Sequence, residues 1–141
     1  MERTHTTRTA FRCHSAKKVR SIGHNKYLYN LVARKGPYTY SPYTLQNVTV
    51  KLEKIPGHRD CYRSTYSSGR TQVTHTLLKM HPAGHCSVIY VEKSDGEKGC
   101  ELLQTASALA SKLRNACKGY FYQHCRAKKL KVFQPGCVYP K

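Results

Sequence analysis

The sequence predicts a mainly β, antiparallel, disulfide-bonded fold: a small barrel or sandwich with one C-terminal α-helix packed on its side. Three observations carry that reading. From Tyr27 to Cys100, short runs rich in β-branched and aromatic residues alternate with Gly, Pro, Asn and Asp turn signals. One long stretch, Ala106 to His124, changes to helical spacing. Seven cysteines in 141 residues, none spaced Cys-x-x-Cys, read as a disulfide framework of an oxidising compartment rather than a metal centre. Their number is odd, so at least one thiol has no partner within the chain.

Residues 1–24 are basic, Thr-rich and poor in apolar side chains, and are expected to be disordered, tethered at most by Cys13. Residues 25–141 form the expected domain. Its first strand is Tyr27 to Arg34, ended by Gly36-Pro37. Tyr38 to Tyr43 is extended and aromatic, with Pro42 confining it to an edge. Asn47 to Glu53 alternates Val48, Val50 and Leu52 with Thr49, Lys51 and Glu53, the pattern of a half-buried strand. Cys61 to Tyr66 and Thr71 to Met80 make a hairpin about Ser67-Ser68-Gly69. Cys86 to Val91 is the clearest strand, and Ser94-Asp95-Gly96 turns it towards a short run at Cys100 to Leu103. Ala106, Leu109, Ala110, Leu113, Cys117, Tyr120, Phe121 and His124 then share one helical stripe. A helix of about 18 residues is roughly 27 Å long, enough to lie across the side of a small barrel. Leu130 to Phe133 reads as a last strand, closed by Pro135-Gly136.

Composition limits the function. Lys and Arg number 25 against 7 Asp and Glu, a formal net charge of +18 that predicts attraction to glycans, nucleic acid or other polyanions. The basic cluster Arg126, Lys128, Lys129 and Lys131 serves such contact or the preceding helix terminus and solvent. No apolar run approaches the ~18 residues of a membrane span. No catalytic constellation, phosphate-binding glycine loop or nucleophile elbow is present, so an enzyme is not expected, nor a cofactor. His81, His85 and Cys86 are the nearest approach to a metal set, but Pro82 and Gly84 oppose the helical spacing that brings them together. Met1 to Ser21 lacks the apolar core of a secretory signal peptide: either the leader is missing or misread, the chain is a processed or engineered form, or the protein is not secreted. Asn47-Val48-Thr49 is a glycosylation acceptor in a secreted chain, or a chance occurrence within a strand.

The segment CSVIYVEKSDGEKGCELL…ACKGYFYQHC…LKVFQPGC resembles the C-terminal third of the tick salivary lipocalins, the histamine-binding protein family. That family shows a Cys-x-Val strand, a hairpin, a Cys/Tyr-Glu-Leu-Trp strand, a helix with cysteines and an aromatic residue, and a terminal Cys. Here these fall at Cys86-Ser87-Val88, Cys100-Glu101-Leu102-Leu103, Cys117 to Cys125 with Phe121, and Cys137. Tyr27 to Arg34 is similar to the family's first strand. Leu103 stands where the family has Trp, and Cys61 replaces a cysteine expected near Tyr43. The stretch before Cys86 is short for eight strands, so the implied architecture is a shortened lipocalin-like barrel.

The resemblance implies a secreted, monomeric lipocalin that holds one small ligand, a biogenic amine such as histamine or serotonin, or an eicosanoid. It implies ligand contacts at Glu101, Tyr29, Tyr90 and Leu103, with Glu101 turned into the barrel where Leu102 faces the helix. The plain alternative for Glu101 is a strand carboxylate paired with a surface Lys, and for the tyrosines ordinary strand packing. The resemblance also suggests disulfides Cys86–Cys117, Cys100–Cys125 and Cys61–Cys137, leaving Cys13 over or competing for Cys117. A different class of function, a basic scaffold binding glycans or nucleic acid, stays open beside the lipocalin reading.

Overall fold

The computed structural model describes residues 1–57, 62–109, 117–134 and 136–138. Among them run nine strands: β1 (Glu2–Arg3), β2 (Arg12–Gly23), β3 (Lys26–Arg34), β4 (Tyr43–Lys54), β5 (Tyr62–Ser68), β6 (Thr71–Met80), β7 (Cys86–Lys93), β8 (Lys98–Gln104) and β9 (Leu130–Lys131). Helices α1 (Ala106–Leu109) and α2 (Lys118–His124) lie between β8 and β9. All pairings are antiparallel, in the order β2-β3-β4-β5-β6-β7-β8-β1-β9. Neighbours in sequence are neighbours in the sheet from β2 to β8, as a chain of hairpins dictates. The sheet curls into a half-barrel whose two ends, among the described residues, are tied at Cys13 without pairing as strands. The Cys13 N–H donates to the Val132 carbonyl at 2.9 Å, and Cys13 is bonded to Cys137.

Two expectations are corrected here. The N-terminal segment expected to lack order supplies β1 and β2. Its backbone groups find ladder partners: Glu2 and Arg3 pair with Leu102 and Glu101 on one side and with Lys131 and Leu130 on the other. Thr4 fastens it further, its N–H donating to the Cys100 carbonyl and its Oγ1 accepting from the Cys100 N–H. The second correction is the disulfide Cys61–Cys137, because Cys137 is bonded to Cys13. The ends of the strand order place Cys13 and Cys137 with their Cα atoms 5.4 Å apart, within bridging range. Cys61 lies outside the described residues. Cys86–Cys117 and Cys100–Cys125 form as the resemblance implied.

Elsewhere the strands follow the alternation of the sequence, with β4 beginning at Tyr43 and β8 at Lys98. Residues 38–42 turn rather than extend, and β9 is only two residues long. The expected continuous helix is seen at its two ends, α1 and α2; residues 110–116 lie outside the described residues.

Strand pleating sorts the buried residues of β6 to β8 into two clusters. On the outer face of β7 and β8, Cys86, Val88, Cys100 and Leu102 pack with Cys117, Phe121 and Cys125 from the α2 region. On the inner face, Val73, Ile89 and Val91 pack with Tyr66, Leu77 and Leu103. The two bridges to residues 117 and 125 cross-link the outer cluster, and fully buried Phe121 fills the space between them.

Candidate ligand-binding site

The inner face carries polar groups that a small core ordinarily excludes unless they are paired. Glu101 is 7% exposed and lies opposite Ile89 of β7 and Arg3 of β1. His5, just beyond β1, sets its Nε2 2.7 Å from Glu101 Oε1. Its Nδ1 is 3.0 Å from Thr6 Oγ1. The Thr6 hydroxyl in turn donates to Glu97 and accepts from Lys93 Nζ at 3.0 Å. Arg3 is buried, and its Nη2 donates to the Thr6 carbonyl at 3.3 Å.

Three further side chains face this group. His75 reaches it from β6, with its ring edge-on to Tyr66 of β5 at 5.4 Å between centroids. His14 comes from β2 and lies close enough to feel the charges of Arg3 and Glu101. The cluster is therefore assembled from β1, β2, β5, β6, β7 and β8 and the turns after β1 and β7.

Burial and charge compete at each group. Burial pushes the Glu101 carboxyl upward, yet the hydrogen bond from His5, the pull of His75 and His5 in their protonated forms, and the Arg3 guanidinium hold it below the usual carboxylate range. Glu101 is thus a buried anion at neutral pH. Burial lowers His75 and, with Arg3, drives His14 down to about 4, so both are neutral at pH 7. Burial together with the Glu101 charge raises the Tyr66 phenol to about 12. Arg3 Nε and His14 Nε2 are buried without a hydrogen-bond partner.

The four residues anticipated as ligand contacts divide between two faces. Glu101 and Leu103 occupy the inner face of β8. Tyr29 of β3, opposite Val48, shares that face through the registers of β3 to β8, whose one shift, between Leu77 and Lys79, lies beyond the His75–Val91 pair. Tyr90 does not: opposite Cys100, it packs against the outer cluster. Alternation along Cys86 to Val91 separates it from Ile89 and Val91, and that signal was present in the sequence. Arg3, His5 and His14 escaped sequence reasoning because their segment has no apolar periodicity. His75 was detectable, since it alternates with Val73 and Leu77 on the apolar face of its strand. Among the described residues no group of three metal-ligating side chains occurs, and no helix is long and apolar enough to cross a membrane.

The family description "tick histamine binding protein" matches the sequence over residues 1–139. No curated protein and no solved structure matches. The match spans nearly the whole chain, including the N-terminal strands that complete the Glu101 cluster. The chain belongs to the tick histamine-binding protein family, a family of ligand-binding proteins.

Proposed function

We propose that this protein is a secreted monomer that sequesters one small ligand at the inner face of its curled sheet, with a biogenic amine as the favoured ligand. The observation that carries the reading is Glu101: a carboxylate held ionised at 7% exposure, bonded to His5 through one oxygen. Keeping a carboxylate charged inside a small domain is unfavourable unless partners repay the lost hydration, and a ligand ammonium is such a partner. Tyr66 and His75 add ring faces beside the charge. The mechanism is withdrawal of free ligand by binding, with no turnover. Three disulfides among the described residues fit an oxidising, extracellular setting.

Arg3 favours a second reading. Its buried, unpartnered Nε, with the unpartnered Nε2 of His14, suits the carboxylate of an eicosanoid or fatty acid. Calorimetric titration of the oxidised protein with histamine, serotonin and a leukotriene separates the two. The amine reading expects saturable 1:1 binding of an amine, weakened about 30- to 1,000-fold in Glu101→Gln, the scale of losing one member of a buried charge pair. The lipid reading expects leukotriene binding that Arg3→Gln abolishes and Glu101→Gln spares. No binding of any of the three by folded protein would overturn both.

A further inference from the structure

We infer that the outer face of strands β2 to β5 is a docking track for a linear sulfated glycan, separate from the Glu101 site. Residues 12–54 contain nine Lys and Arg against one acid, Glu53. The strand registers gather part of that charge on one face. Arg20 lies opposite Leu28, Lys26 opposite Lys51, and Glu53 opposite Arg63, so Arg20, Lys26, Lys51 and Arg63 all point to the side away from Tyr27 and Tyr29. All four are exposed.

With strands about 4.8 Å apart and alternate residues roughly 6.8 Å apart along each, the four cations fall on a diagonal about 20 Å long, with gaps of about 5–8 Å. Lys26 directly facing Lys51 is an arrangement that weakens a sheet rather than supporting it. Glu53, 3.1 Å from Lys51, is the one carboxylate on the line among the described residues. A row of four cations on adjacent strands, offset by one carboxylate, is complementary to a polyanion of similar linear form.

The side chains between the cations select among polyanions. Single-stranded nucleic acid is held by stacking its bases on aromatic rings. Between the cations on this face lie Leu28, Thr49 and Thr65, while Tyr27 and Tyr29 project to the opposite face and Tyr43, on the same face of β4, stands eight residues along the strand from Lys51. Hydroxyls and charge with no ring between the cations match sulfate groups and sugar hydroxyls. An oxidised, disulfide-bonded protein also meets sulfated glycans in the compartment where it persists.

The test uses full-length oxidised protein carrying no N-glycan and a heparin oligosaccharide as the probe, titrated over a salt series. The triple variant Arg20→Gln, Lys26→Gln, Lys51→Gln is compared with a charge-matched control, Arg70→Gln, Lys79→Gln, Lys128→Gln, both shown to be folded by circular dichroism. The track variant should lose at least tenfold in affinity, with the slope of log K on log salt reduced by about two to three, one for each lost contact. The control should stay within threefold of the parent. Equal losses in both variants would mean that only net charge matters and would overturn the inference. So would failure of the parent to bind heparin at physiological salt, or tighter binding to single-stranded DNA or to phosphatidylserine vesicles.

Discussion

Replacing Cys13 and Cys137 together by Ser severs the bond that joins the two ends of the strand order. The magnitude follows from chain connectivity. With Cys86–Cys117 intact, the shortest covalent path between residues 13 and 137 of the unfolded chain is roughly 95 residues, and loop-closure entropy then assigns the bridge about 4.7 kcal/mol at 25 °C. Unfolding entropy near 2.1 cal/mol/K per residue makes that a fall in Tm of roughly 15 °C for a domain of this length. Cys13 is completely buried, so a Ser hydroxyl there adds a desolvation penalty in the same direction. Urea denaturation and calorimetry of parent and double variant measure the difference, with peptide mapping confirming that the other two bridges persist. A loss below about 1 kcal/mol would refute the view that this bond constrains the unfolded chain. So would a Cys61→Ser variant as unstable as the double variant, which would return Cys137 to a partner other than Cys13.

Two further predictions concern the inner cluster. His14 titrates at about 4 when folded against an ordinary value of 6.5, so the unfolded chain takes up a proton that the folded chain refuses. Stability should therefore be complete above about pH 6.5 and fall by up to roughly 3 kcal/mol as pH drops towards 4; denaturation at pH 7, 5.5 and 4.5 should show that fall, with a shallower slope in His14→Gln, and an unchanged slope would exclude His14 as its source. At Gly99, an added Cβ would stand 2.7 Å from Thr4 Oγ1 and 3.0 Å from His5 Cβ. Gly99→Ala should destabilise by about 1–3 kcal/mol and lift residues 4 and 5 from β8, seen as faster hydrogen exchange at the Thr4 amide; normal protection there would show that the segment accommodates the methyl group.

How far the sequence reveals the fold depends on which residues face the core. The strands β4 and β7 are plain in Val48-x-Val50-x-Leu52 and in the Val and Ile of Cys86 to Val91, because each buries a regular apolar row. The strand β2 is hidden because its length is spent on Lys17, Lys18, Arg20 and their exposed neighbours, so its ladder hydrogen bonds to β3 leave no hydrophobic trace. β1 is hidden for another reason: two residues cannot display a period, and their partners lie about a hundred positions away. The same limit applies to the inner cluster. Pleat parity alone turns Glu101 away from Leu102, whereas its pairing with His5 depends on a long-range contact that no local pattern encodes.

The place of β1 bears on the order of biosynthesis. Strands β2 to β8 can pair one after another as the chain emerges, each finding its neighbour a few residues back. The first residues of the chain cannot settle in this way, since β1 must wait for residues 98–104 on one side and 130–131 on the other. Arg3 and His5 therefore reach Glu101 only after residues 98–104 have left the ribosome, and β1 is paired on both sides only after residues 130–131. A nascent or truncated chain holds the carboxylate without its partners, so the Glu101 cluster, the proposed binding centre, matures late in assembly, and on that proposal ligand uptake would report that β1 is in place.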